Sequence, residues 1–429
     1  MAGHRVALIR AAAEAPVAAA EPPPAAAEAP VALYLHVPFC VSVCPYCDFV
    51  VYGGADARGP RSRVGAFVAA IEAELRLRAD ALDARFGGGR PALRSVYLGG
   101  GTPSLLPPAA VAALLAQIEE RFGLASGAEV TLEANPGPDE RGDLAGFAQA
   151  GVNRVSFGAQ SLHPGELKRL GRRHSPGDVA DAVGAARAGG ISNVNVDLLY
   201  DVPGQTLASW AASLDGVIGL EPDHVSLYAL TLDDPEAEGL TGILGDHLPP
   251  RPGARHWREF AASDQDEDRA ATQYLRATER LHAAGYAGYE ISNWARPGRE
   301  SRHNLAYWRR LSYEAAGPGA HAFDGQSRRW NAARLDAYLA ALRPPAGVAE
   351  HLPPGGSEAV HATQAASEAV ILGLRLAEGL PGVARSRPPL ARAFDWAVER
   401  DLLELTEAGR IVLTLRGRLL SNELFARLV

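Results

Sequence analysis

Between Ala32 and Leu230 a short run rich in Val, Leu and Tyr recurs six times, with a longer Ala-rich segment between one run and the next. The short runs are Ala32–Val37, Ser95–Leu98, Glu129–Glu133, Arg154–Phe157, Asn193–Leu199 and His224–Leu230. The segments between them read as helices near 62–84, 108–122, 139–149, 177–189 and 207–219. Strand–helix alternation of this kind implies parallel strands joined by right-handed crossovers. Six units are enough to close part of the way into a barrel and too few for the eight of a complete one. The expected fold is therefore α/β, a partial (β/α)6 barrel, with ligands at the carboxyl ends of the strands.

The remainder divides by texture. Residues 1–30 are a low-complexity Ala/Pro/Glu leader with nothing large to bury. Residues 31–265 form the expected core domain, loop-rich from about 232 to 264, where Pro249, Pro250 and Pro252 cluster. Residues 266–345 read as a connecting helical region, with a helix near 268–284 and a short strand at Gly288–Ile291. A Pro/Gly-rich stretch, 344–356, precedes a small α+β unit at 357–429 with the texture of a winged helix.

With 42 basic and 50 acidic residues, the chain lacks the general basic surface that holds a protein to nucleic acid. No apolar run reaches the roughly 18 residues of a membrane span. Glu14, Glu21, Glu28 and Pro22 to Pro24 interrupt the Ala-rich leader and spoil a signal core, so a cytoplasmic location is expected. Three cysteines are too few for a disulfide framework.

Those three stand together, as Cys40-x3-Cys44-x2-Cys47, just after the first strand. Three thiolates on one tight loop can hold three corners of a cuboidal iron–sulfur cluster and leave one iron open. The competing readings are a zinc site and plain buried thiols. Zinc usually takes four ligands, and no fourth cysteine exists. His36 is the spare candidate, but it lies on the strand and is expected to point away from the loop.

Further polar groups gather at strand ends. Gly99-Gly100-Gly101-Thr102-Pro103 follows the second strand, where glycines allow a backbone to approach a ligand closely. Glu133 ends the third strand, Gln160 the fourth, and Asp197 lies late in the fifth; Arg172 follows twelve residues after Gln160. A carboxylate can accept from ribose hydroxyls and an Arg can fork onto a carboxylate. For any one of them, strand capping or a surface ion pair is as good an account.

Cys-x3-Cys-x-Tyr46-Cys resembles the signature of the radical S-adenosylmethionine superfamily. The resemblance implies a [4Fe-4S] cluster on Cys40, Cys44 and Cys47. Its open iron would be chelated by S-adenosylmethionine, which one electron cleaves to methionine and a 5′-deoxyadenosyl radical. It also implies cofactor contacts from Tyr34, Gly100, Gly101, Thr102, Glu133, Gln160, Arg172, Asp197 and Ala229.

From Leu33 onward the chain is similar to the oxygen-independent coproporphyrinogen III oxidase group. The matching segments are Tyr34-x-His36-x-Pro38-Phe39-Cys40, Gly151-Val-Asn153-Arg154-Val-Ser156-Phe-Gly158-x-Gln160, and Asp197-Leu-Leu-Tyr200 with Pro203-Gly204-Gln205-Thr206. The true oxidases carry a fourth cysteine where Phe49 stands here. Cys47-Asp48-Phe49 and His303-Asn304-Leu305-Ala306-Tyr307-Trp308 instead resemble the heme-chaperone branch, the HemW type. That branch implies heme at His303, since imidazole is a common axial ligand and Tyr307 and Trp308 offer flat apolar area. The alternative for this motif is a structural His and aromatic pair packing the helical region onto the barrel. His321, among small residues, is a second candidate near the barrel mouth. The chain departs from the family at Ala315 and Asp201, where Gly is usual and a mild change of loop geometry is expected, and through 233–262.

The resemblance as a whole implies a heme chaperone with no assigned catalytic residue. Its partners would be heme, S-adenosylmethionine, an electron donor and a heme-acceptor protein, soluble or membrane-associated. The alternative is the oxidase itself, a radical decarboxylation of two propionates, so whether the protein turns over a substrate stays open.

Overall fold

The computed structural model describes residues 27–386 and 390–429; most of the expected leader lies outside the described residues. The strands of the repeat are β1 (Ala32–Val37), β4 (Leu93–Gly100), β5 (Leu124–Ala134), β6 (Arg154–Gln160), β7 (Asn193–Tyr200) and β8 (His224–Ala229). Between β1 and β4, the loop carries the two-residue pair β2 (Phe39–Cys40) and β3 (Tyr52–Gly53). The six long strands lie in the order β1-β4-β5-β6-β7-β8, every pair parallel. This is the expected α/β core.

Along these strands the side chains alternate in character. Glu129, Thr131 and Glu133 on β5 share one face, as do Arg154 and Ser156 on β6, Asn195 and Asp197 on β7, and His224 and Ser226 on β8. The other face carries Val130, Leu132, Val155, Phe157, Val194, Val196, Val225 and Leu227, all buried in the main core. Period-two alternation puts one set inward and one set beneath the helices. The apolar set packs on the outer helices. The polar set forms a hydrogen-bonded interior that a fully apolar parallel sheet would lack.

The crossover helices are 64–86, 108–122, 144–149, 176–188 and 207–219. Ser175 with Asp178, and Thr206 with Ser209, make reciprocal capping boxes at two of them. The helix expected from 139 starts only at Leu144. Gly142 takes φ 66°, and the Asp143 side chain accepts from Gly146 N as the cap. Within the supposed loop region, Pro252–Asp264 is a helix with Pro at its first position, where a missing N–H costs nothing.

The sheet has twelve strands. β9 (Ala287–Gly288) and β10 (Asn293–Ala295) add antiparallel beside β8, in place of the single strand expected at 288–291. At the other edge β11 (Tyr313–Ala316) pairs parallel with β1. Beyond it lie β12 (His321–Phe323), β13 (Ser327–Asn331) and β14 (Gly355–Ala359), all antiparallel. These strands span two to five residues, too few for a period to declare itself. The region 266–345 therefore adds strands on both sides of the six, and β14, which starts in the Pro/Gly stretch, forms one edge of the sheet.

At the C-terminus three short antiparallel strands, β15 (Leu380–Pro381), β16 (Leu403–Leu405) and β17 (Arg410–Leu413), pack with helices 362–375 and 391–399 around their own core. This is the expected small α+β unit. Arg375 ties it to the barrel, lying 4.4 Å from the Trp308 ring centre and 3.2 Å from buried Glu290. No helix among the described residues is long and apolar enough to cross a membrane.

Candidate cofactor site

The cysteine loop begins at the last residue of β2, at the carboxyl end of the parallel strands. Cys47 N donates to Cys44 O at 3.2 Å, closing the turn that brings two thiols together. A chain of hydrogen bonds links the loop to three neighbouring strand ends. Arg172 Nη1 donates to Cys44 Sγ at 3.6 Å and Nη2 to Asn135 Oδ1 at 2.6 Å. Asn135 Nδ2 reaches Thr102 Oγ1 at 3.2 Å, and Thr102 Oγ1 donates to Cys40 Sγ at 3.4 Å. Two cysteines thus have donors aimed at sulfur.

Burial pushes the Cys40 thiol up to about 11 and Cys47 higher still, each raised further by its neighbouring thiols. Thiolates here need an added positive charge, so cluster assembly must displace protons. Among the described residues no three His, Cys, Asp or Glu side chains converge on a single metal ion. His36 turns its ring onto the far end of the loop and both nitrogens are engaged, Nδ1 with Tyr34 Oη at 3.0 Å and Nε2 with Val50 O at 2.8 Å. The donor set is three thiols without a fourth, which fits the separate corners of a cuboidal cluster.

The three glycines have a structural reason of their own. A Cβ on Gly100, whose φ is 104°, would strike the His36 ring, and one on Gly101 would sit 2.6 Å from Phe39 O. They let β4 pass beneath the cysteine loop, and Gly100 N then donates to Glu133 Oε2 at 3.0 Å. Glu133 Oε1 accepts from Tyr97 Oη at 2.7 Å. Burial raises this carboxyl to about 7.

Gln160 sits at a register shift between β6 and β7 with φ 68°, a bulge that re-aims a side chain at the rim. Arg172 Nη2 also donates to Gly158 O at 2.5 Å, while its buried Nε has no hydrogen-bond partner. An orphaned donor beside a cysteine loop could bind an anionic group. Asp197 accepts from Ser156 Oγ at 3.1 Å and Asn195 Nδ2 at 2.6 Å, and burial raises its carboxyl. Ala229 is exposed at the end of β8.

His303 is placed elsewhere. It is buried on helix Arg302–Trp308, 1% exposed. Its Nδ1 meets Ser95 Oγ at 2.9 Å and its Nε2 meets Tyr307 Oη at 2.7 Å. Burial, then the Arg154 charge, holds its imidazole down at about 3. Both ring nitrogens are therefore engaged beneath the sheet, so His303 would have to give up Tyr307 or Ser95 to act as the expected axial ligand. Trp308 has one face covered by the Arg375 guanidinium. Of this motif it is Tyr307 that lines a cavity of about 300 Å3, with Tyr34 and Tyr313.

Asp246 and His247 line that cavity too, and neither stood out in the sequence. Both come from the segment that departs from the family, with no local pattern to mark them. His321 does reach it. Two other departures resolve. Asp201 holds the left-handed φ of 56° that suits Gly, and a 2.6 Å ion pair with Arg269 offsets the strain. Ala315 lies in β11, fully buried, so no loop geometry changes there.

A family profile described as the Radical SAM superfamily matches residues 34–215. The curated heme chaperone HemW of Mycobacterium tuberculosis is 40% identical over 390 residues, 91% of this chain and 92% of that protein. Heme chaperone HemW of Bacillus subtilis is 30% identical over 401 residues, 91% and 97% of the two chains. The solved structure of coproporphyrinogen III oxidase, HemN, from Escherichia coli aligns with a TM-score of 0.74 over 94% of this chain and 90% of that one. At 21% identity that likeness carries the fold alone. Similarity to the chaperones extends over nine-tenths of the chain at 30–40% identity, and on that breadth the chain belongs to the HemW heme chaperone family of radical SAM proteins.

Proposed function

We propose that this protein is a heme chaperone of the cytoplasm that carries a [4Fe-4S] cluster with S-adenosylmethionine and passes heme to an acceptor protein. Cys40, Cys44 and Cys47 would hold the cluster. When bound, the pair supplies one-electron chemistry at a shielded strand end. Arg172 steadies Cys44 and keeps Nε for the carboxylate of S-adenosylmethionine. Gly100 and Gly101 keep side chains out of the space above β4, and Thr102 stays on Cys40. Glu133, Gln160, Asp197 and Ala229 supply the rim, with Tyr34 at the adjoining cavity. Tyr307 would offer its ring to heme, and His303 holds that ring from behind.

The observation that carries this reading is Phe49, 65% exposed at the position of the oxidases' fourth cysteine, on a chain otherwise complete for the cluster. An electron donor and the acceptor protein are its remaining partners. The test is anaerobic. Reconstituted protein is given S-adenosylmethionine, reductant and coproporphyrinogen III, and separately titrated with heme. A cluster spectrum, stoichiometric heme and no porphyrinogen turnover are expected. Several equivalents of protoporphyrinogen would make it an oxidase instead.

A further inference from the structure

The cavity beside the cysteine loop holds a carboxylate between two imidazoles. Asp246, 5% exposed, places Oδ1 3.0 Å from His247 Nδ1 and Oδ2 3.0 Å from His321 Nε2. Each ring therefore spends one nitrogen on Asp246. Among the described residues, neither His247 Nε2 nor His321 Nδ1 has a hydrogen-bond partner. Both rings stay reachable, their side chains 32% and 41% exposed.

His321 is the better fixed of the two. Its ring stacks on Trp330, centroids 6.0 Å apart at 23°, and Trp330 Nε1 donates to Leu244 O at 3.0 Å. The surrounding walls are flat and aromatic: Tyr34, Tyr307, Tyr313 and the exposed Phe49. A carboxylate that takes one imidazole nitrogen fixes the ring and makes the other nitrogen a stronger ligand. Because Asp246 is used in this way, the trio is not a three-ligand site for a bare ion. An anchored imidazole facing aromatic walls instead matches a planar metallated macrocycle. At about 300 Å3 the cavity takes one side of such a group and leaves the rest outside, as release to an acceptor requires.

We propose that His321 supplies the axial nitrogen to heme iron, with Asp246 as its positioning residue and His247 clamping the other carboxylate oxygen. The inference rests on the heme-chaperone reading and deepens it by placing the ligand.

The experiment titrates hemin into cluster-loaded full-length protein. It compares the parent with His321→Gln, His321→Ala and, as a surface control, His163→Gln. Soret position, electron paramagnetic resonance and Kd are read, with thermal melts as the fold check. The parent and the control should share one imidazole-type spectrum. His321→Gln keeps a donor for Asp246 and should lose that spectrum, with Kd at least tenfold weaker. In His321→Ala, added free imidazole should restore the parental spectrum, which a merely structural role would not allow. Asp246→Asn should keep heme but shift the resonance. Parental spectra and Kd in both His321 variants would overturn the ligand assignment and leave the chaperone reading standing. A parent that binds no hemin would overturn both.

Discussion

His303 Nε2 lies 2.7 Å from the Tyr307 hydroxyl, one helical turn away, and only the tyrosine faces the cavity. The histidine is a support for the tyrosine. Replacing it removes hydrogen bonds to Ser95 and Tyr307 and leaves a void. His303→Ala should cost about 2–4 kcal/mol of stability. Its heme spectrum should retain the parental imidazole signature. Urea unfolding and a hemin titration check the two halves, and a lost imidazole signature in folded protein would return the ligand to His303.

Arg172 joins Cys44, Asn135 and Gly158 in one contact set. Arg172→Lys cannot reproduce that planar fork. We expect S-adenosylmethionine affinity to drop at least tenfold, while iron content falls much less. Each of Cys40→Ser, Cys44→Ser and Cys47→Ser should instead lose the cluster outright, read as iron per chain.

Acid should destabilise the fold through its buried imidazoles. Burial holds His36 and His174 down at about 4 and His303 at about 3. Above pH 6.5 both folded and unfolded chains carry these rings neutral. As pH falls from 6.5 towards 4 and then 3, the unfolded chain binds protons that the folded one refuses, so stability drops across that window. Glu133, raised to about 7, acts in the opposite sense and favours the fold as pH falls. The difference between parent and variant isolates the histidine. Between pH 7.5 and 5, His174→Asn should lose less of its urea midpoint than the parent, and equal slopes would refute the assignment.

Asp201 trades strain for an ion pair. Asp201→Gly relieves the left-handed backbone by about 1 kcal/mol. It also leaves Arg269, with only a fifth of its side chain exposed, with the longer 3.5 Å contact to Asp264 in place of the 2.6 Å pair. The loss should win by about 1–2 kcal/mol, seen as a lower Tm. A higher Tm would show that strain dominates.

The six parallel strands were legible because each is long and helices separate one from the next. Cys40, Cys44 and Cys47 were legible because they are neighbours in sequence. β11 was not: Tyr313–Ala316 has no helix to pair it with β1 nearly three hundred residues earlier. The Gly99–Gly101 run was seen, but its closest reason, the passage beneath His36 and Phe39, lies in space.

His303 and His321 mark the same boundary. Both are imidazoles near aromatic residues, and the sequence places each beside a recognisable motif. Sequence determined that the six long strands and their crossover helices form, that the strands' carboxyl ends meet, and that three thiols lie there, because those facts follow from local period and spacing. Only the tertiary structure decided that His303 is closed off by Ser95 and Tyr307 while His321 meets Asp246 at a cavity. Whether a ring nitrogen is spent or free depends on partners from distant strands, and local sequence carries no record of them.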